Sequence, residues 1–241
     1  QPDGYTLLVY GPPVWINPLI KRGVTYDPLK DLQPIGLLAR AANLLVVHPS
    51  VPVKTVRELI SLAKSKPGQL FDAGSDTGSS AHLGAELFKS MAGVSIVRVP
   101  YKGVGAGITA LVSGEVHLMF AGLGSIGPHM KTGKVRALAV TSAKTSALVP
   151  ELPTFAESGY PFDTLAGFAG IAFPAGTPKA IVSRVSADVA RVMNLPEIQE
   201  RITTAGGVPR YLPPDQFARY LDDDVKRWAP LIKEAGATTQ N

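Results

Sequence analysis

No cysteine occurs anywhere in the 241 residues. Disulfides, thiolate nucleophiles and cysteine-ligated zinc are therefore excluded, and the fold must hold by its core alone. The absence also suits passage through an oxidising compartment. Charge is sparse, at 18% of residues, and 24 basic against 19 acidic side chains leave a formal net charge of +5. The basic residues are scattered, and aromatic residues make up only 7%, so no nucleic-acid partner is expected. A mildly cationic surface favours anionic ligands in general terms only. No uncharged stretch reaches the roughly 18 apolar residues of a membrane span. The longest, residues 4–20, is broken by Gly11-Pro12-Pro13 and by Pro18. The opening Gln1-Pro2-Asp3-Gly4 reads as a turn feeding a strand rather than a signal peptide, and sequence upstream of Gln1 is expected. What the chain does have is apolar mass: 45% hydrophobic residues can bury a sizeable core in one or two domains.

Strand-like runs at 5–10, 44–48, 70–73, 96–99, 116–120 and 136–141 alternate with helical patterns, which predicts an α/β fold with a largely parallel sheet. Thr55 caps a helix with Val56, Leu59, Ile60 and Ala63 on one face, stopped by Pro67-Gly68. Thr177-Pro178 starts a second, in which Ile181, Val182, Val185, Val189 and Val192 keep a 3.6-residue period. Pro213-Pro214-Asp215 starts a third, with Phe217, Leu221, Val225, Trp228 and Ile232 facing inward. Two apolar, proline-terminated segments, 43–49 and 167–174, interrupt this rhythm. They are the expected crossings between a discontinuous first lobe, 1–43 with 170–241, and an inserted second lobe, 44–169.

The most informative stretch runs from Phe71 through Asp72-Ala73-Gly74-Ser75-Asp76-Thr77-Gly78-Ser79-Ser80 to His82. It reads as a strand, a small-residue loop and a helix start. Ser79 and Ser80 are good N-cap residues, glycine allows close backbone approach, and the free amides of a first helical turn attract negative charge. The chemistry suits a carboxylate, although an ordinary strand-to-helix connection uses the same residue types. Gly122-Leu123-Gly124-Ser125-Ile126-Gly127 matches a dinucleotide pattern but has no acidic residue about 20 positions on, and residues 103–110 hold a second such match. Neither implies a nicotinamide or flavin, and no cofactor is expected. A GxSxG nucleophile elbow is absent. His82 and Glu86 share a helical face, but His48, His117 and His129 add no second metal signature. A histidine one turn after a cap more often bonds backbone or fixes a loop. With no triad, dyad or metal cluster assembled, neither catalytic nor metal-binding residues are expected.

Several motifs recur together in one order: Asp3-Gly4-Tyr5-Thr6-Leu7-Leu8, Ile16-Asn17-Pro18, Tyr26-Asp27-Pro28, Pro49-Ser50-Val51-Pro52, the segment from Gly78 to Phe88, Val99-Pro100-Tyr101-Lys102-Gly103, Leu138-Ala139-Val140-Thr141-Ser142 and Pro174-Ala175-Gly176-Thr177-Pro178. In them the chain resembles the Bug or TctC-type receptors of tripartite tricarboxylate transporters, periplasmic solute-binding proteins of bacteria. The resemblance implies a two-lobed, flytrap-like type II α/β fold with two crossover strands, binding a small carboxylate in the cleft and handing it to a membrane permease. It implies a monomer when full length. It further implies that Ser75, Thr77, Gly78, Ser79, Ser80 and His82 hold the carboxylate from the second lobe, with Tyr10, Gly11 and Pro12 acting from the first. Tyr101 lies at the matching lysine-glycine turn, and Phe168 stands where relatives often carry Trp; core packing would account equally well for both.

The chain also departs from the family pattern. The resemblance implies an N-terminal strand, Gly-rich loop, helix and second strand before the Asp-Gly-Tyr motif, a block that is expected upstream of Gln1. Ala121 stands where many relatives place a polar residue, and Pro12-Pro13 replace small hydroxyl residues. Both changes imply a less polar pocket, suited to one carboxylate on an apolar or aromatic body. An effector-binding domain of a regulator, on the same fold, is the alternative, and a hydrolase or dehydrogenase a more distant one.

Overall fold

The computed structural model describes residues 1–74, 77–142, 146–160 and 166–234. In chain order the elements are β1 (Leu8–Tyr10), α1 (Pro12–Ile20), α2 (Pro28–Asp31), β2 (Leu32–Val47), α3 (Val56–Ser65), β3 (Phe71–Gly74), α4 (Ser80–Ala92), β4 (Val97–Pro100) and α5 (Gly103–Ser113). They continue with β5 (Leu118–Gly122), α6 (Leu123–Lys131), β6 (Arg136–Val140), β7 (Ala166–Pro174), α7 (Lys179–Met193), α8 (Pro196–Thr204), β8 (Val208–Leu212) and α9 (Pro214–Glu234). The chain divides into two compact units, residues 1–40 with 168–241, and residues 41–167. β2 and β7 are the strands on which it passes from one to the other.

In the unit containing both ends of the chain, the strand order is β1-β7-β2, with β8 also paired to β2. Leu8 to Tyr10 pair antiparallel with Ala172 to Gly170, and Leu37 and Arg40 with Leu212 and Val208. Ile35, Ile171, Phe173 and Val182 form one apolar cluster. α1 is fastened to α9 where the buried Trp15 indole donates to the Leu221 carbonyl at 2.9 Å. Thr177, expected at the start of α7, closes a turn instead: its hydroxyl donates to the Pro174 carbonyl, and Pro178 takes the cap position.

In the second unit β3 runs parallel to β4 and β5, while β2 pairs antiparallel with both β5 and β6. Leu44, Val46, Ala73, Leu111, Met119, Ala121 and Val140 are buried together. Phe120 stacks on Phe155, and Phe88 meets Phe155 edge-on and Phe120 at a tilt, with ring centroids 5.7–6.1 Å apart. At the start of α3, Thr55 accepts from the Glu58 amide and Glu58 reaches back to the Thr55 amide, a complete capping box.

Two expectations are corrected. The sheet is mixed rather than largely parallel, because β2 is a single 16-residue strand that pairs antiparallel with β5, β6 and β8. Its first half escapes sequence reading, since residues 32–43 carry Gln33, Pro34, Gly36, Arg40 and Asn43 among the apolar positions. The first strand is Leu8–Tyr10, not 5–10: β7 offers partners to those three residues only, and Tyr5 is 93% exposed.

Gly170, opposite Tyr10 on β7, has no room for a side chain, because a methyl there would overlap the edge of the Phe217 ring. Gly170→Ala is expected to lower stability by roughly 1–3 kcal/mol in chemical denaturation. Gly127→Ala in α6, whose nearest neighbour is Leu123 at 3.6 Å, is expected to be neutral or slightly stabilising.

Candidate anion site

β3 ends at Gly74, over which the Arg98 side chain lies so closely that any Cβ at Gly74 would overlap it. After the loop, Gly78 takes φ +83°, a left-handed conformation that glycine adopts without steric cost. The chain then enters α4 through Ser79, whose hydroxyl oxygen accepts from the His82 amide at 3.1 Å. The Ser79 carbonyl takes the Leu83 amide at 3.0 Å. The amides of Ser80 and Ala81, the first two of the helix, have no intrahelical acceptor by construction, and the helix dipole adds partial positive charge there. Asn43 of β2 donates from Nδ2 to the Ser80 hydroxyl oxygen at 2.9 Å, leaving the Ser80 O–H to donate elsewhere. Asn43 is itself anchored to Thr141 through its amide and its carbonyl. Two amides and a hydroxyl are thus presented at one positive helix end. That is a donor set for an anion.

Beside these donors sits a group of ionisable side chains. Nδ1 of the buried His82 accepts the Gly78 amide at 3.3 Å, so the imidazole proton resides on Nε2, which faces Glu86 Oε1 at 3.9 Å. Burial first, then the cations Arg98 and Lys89, push the His82 imidazole down to about 4, so it is neutral near pH 7. Glu86 is held by Lys89 at 2.6 Å. Asp72 on β3 is 2% exposed and its Oδ1 has no hydrogen-bond partner among the described residues. Burial, reinforced by Glu86 and opposed by Lys89 and Arg98, pushes its carboxyl up to about 7. Desolvation keeps both groups from carrying full charge at neutral pH.

The other unit presents a different surface. Tyr10 is buried, its ring edge-on to Phe168 at 5.9 Å and beside Phe217 at 6.0 Å, and its hydroxyl has no hydrogen-bond partner among the described residues. Burial raises its ionisation far above the ordinary phenol range. Phe168 also meets Phe217 and Tyr220 at 5.8 and 5.9 Å, and the Arg40 guanidinium lies 5.7 Å from the Tyr220 ring centre. Gly11 precedes α1 without a capping side chain, and Pro12 and Pro13 fill its first two positions. Neither proline has an amide hydrogen, so this helix start offers little to an anion.

Of the residues singled out in the sequence, Thr77, Gly78, Ser79, Ser80 and His82 are gathered at the α4 start, and Tyr10, Gly11, Pro12 and Phe168 lie in the other unit. Ser75 lies outside the described residues. The Gly78 amide is committed to His82 rather than left for a ligand, and the Tyr101 hydroxyl donates to Glu115 at 3.0 Å. Sequence reasoning passed over Asn43, Asp72, Arg98 and Thr141. The available signal was a lone polar residue in an apolar strand, as for Asn43 before Leu44-Leu45-Val46-Val47 and Asp72 beside Ala73-Gly74. Among the described residues no group of three His, Asp or Glu could hold a metal ion, and no helix is long and apolar enough to cross a membrane.

Residues 1–237 match the family described as Tripartite tricarboxylate transporter family receptor. The chain belongs to that family. It is 30% identical to Protein BugT of Bordetella pertussis over 237 residues, which are 98% of this chain and 73% of BugT. Among solved structures it is similar to R. palustris Rpa4515 with adipate, at 37% identity and a TM-score of 0.92, covering 98% of this chain and 79% of that one. It is likewise similar to MatC from Rhodopseudomonas palustris with bound malate, at 29% identity and a TM-score of 0.86, covering 96% and 80%. The fold is the α/β fold of these periplasmic binding proteins.

Asp72 gives the site a measurable pH signature. Its folded-state pKa lies above the unfolded value of about 3.9, so the folded protein binds the proton more tightly and Asp72 weakens the fold as pH rises between about 4 and 7. Asp72→Asn is expected to match the unsubstituted protein near pH 4 and to exceed it at pH 8 by roughly 2–4 kcal/mol, read from melting curves at both pH values. A lower melting temperature for Asp72→Asn at pH 8 would mean that the ionised carboxylate is itself needed.

Proposed function

We propose that this protein is a periplasmic receptor that captures a small organic carboxylate and delivers it to the membrane permease of a tripartite transporter, without catalysing a reaction and acting as a monomer. The observation that carries the reading is the α4 start, where the Ser80 and Ala81 amides and the Ser80 hydroxyl lie at a positive helix end. Thr77, Gly78, Ser79 and Ser75 belong to the same ligand loop in this proposal. Family membership and relatives solved with adipate and malate support a carboxylate as the ligand class.

The test is calorimetric titration with adipate, malate and a panel of aromatic and aliphatic monocarboxylates. At least one is expected to bind with one-to-one stoichiometry and to raise the melting temperature. Ser80→Ala is expected to weaken that binding by roughly 1.5–3 kcal/mol, the value of a hydrogen bond to a charged group. Ser79→Ala is expected to lower helix stability by about 1 kcal/mol, because its oxygen caps α4. Unchanged affinity in Ser80→Ala would move the carboxylate away from this helix start, and failure of the whole panel would remove the receptor reading.

A further inference from the structure

We infer that His82 is a positioning residue for carboxylate binding: its unprotonated Nδ1 holds the Gly78 amide and so sets the loop that presents the Ser80 and Ala81 donors. The inference rests on the α4 start being the carboxylate site. Gly78 sits at φ +83°, a conformation glycine enters freely and leaves as freely, so the loop needs an external tether to hold one shape. The tether comes from one turn along the helix. His82 cannot move independently of α4, because its own amide is bonded to Ser79 and its ring is buried. The bonds Gly78 to His82 Nδ1 and His82 amide to Ser79 therefore tie both sides of the helix entrance to one residue.

The acceptor role demands a single state of the ring. An imidazole with a proton on Nδ1, whether as the other neutral tautomer or as the cation, would bring two donors face to face at Gly78. Glu86 Oε1 lies 3.9 Å from Nε2 and favours the proton there, and Lys89 holds Glu86 in place. Arg98 on β4 and Lys89 oppose formation of the cation. Asp72 on β3 is buried and partly ionised near neutral pH, but the charges that shift His82 are those of Arg98 and Lys89, and β5, packed on α4, carries no ionisable residue. A row of side chains, Lys89, Glu86 and His82, thus converts the orientation of one ring into the orientation of a loop amide. In this proposal His82 acts on the ligand through the Gly78 amide, which its Nδ1 holds.

Two substitutions separate this role from bulk packing. In His82→Asn, Oδ1 takes the place of Nδ1 and can still accept from Gly78, whereas His82→Leu fills the space without an acceptor. With adipate as probe at pH 7.5, His82→Asn is expected to bind within about threefold of the unsubstituted protein and His82→Leu roughly tenfold more weakly. Melting curves establish that both remain folded. In the ligand-free protein, nitrogen NMR of the ring is expected to show Nδ1 unprotonated and Nε2 protonated. Hydrogen exchange at the Gly78 amide is expected to be slow in the unsubstituted protein and His82→Asn, and fast in His82→Leu. A protonated Nδ1 at pH 7.5, or an Asn variant as weak as the Leu variant, would overturn the inference. If adipate fails to bind the unsubstituted protein, malate replaces it. Failure of both counts against the carboxylate reading, while the ring and amide measurements still decide whether His82 holds Gly78.

Discussion

The hydrogen-bonded backbone of β2 is the constraint on which the rest of the molecule depends. It takes part in both compact units, pairing with β8 along its first half and with β5 and β6 along its second. A strand flanked on both sides must be apolar where it is deepest, and Leu44 to Val47 are at most 1% exposed. Asn43, just before that run, is the exception. Its backbone pairs with Thr141 and its side chain reaches Ser80, so the strand that organises the sheet also fixes a hydroxyl at the helix entrance. Loss of register in β2 would displace that donor as well as the core.

Much of the architecture was legible from periodicity. The Thr55 capping box, the β3 strand and the serine entry into α4 are local patterns, and the structure forms them where the residues point. The first half of β2 was not legible, because its residues are chosen by pairing with a strand 170 positions away in sequence rather than by alternation; Leu37 opposite Leu212 differs by about that separation. The same reason hid the neighbours of the site. Arg98 meets Gly74 only because β3 and β4 lie in parallel register, with Asp72 opposite Arg98 and Gly74 opposite Pro100. No spacing rule within one segment announces a contact of that kind.

The ionisable groups near the α4 start show how burial lowers the charge on the central members of a cluster. Asp72 and His82 are shifted in opposite directions by the same cause, removal from water. Each therefore loses charge near neutral pH: the acid partly holds its proton and the base lacks one. The charged residues around them, Glu86 and Lys89, are matched to each other at 2.6 Å. The Arg98 cation and the partly ionised Asp72 remain beside this pair, and the helix end adds backbone dipoles, which do not titrate.

The two prolines at the start of α1 have a consequence for discrimination. A helix entrance ordinarily offers amide hydrogens to any passing anion, and Pro12 and Pro13 delete the first two by covalent structure, beyond the reach of any side-chain rearrangement. The deletion weakens that turn as a binding point: phosphate, sulfate and stray carboxylates find two donors fewer there, however the surrounding residues move. Selectivity there is written into the backbone as missing hydrogens, a form of exclusion that costs the protein no buried charge and persists at every pH.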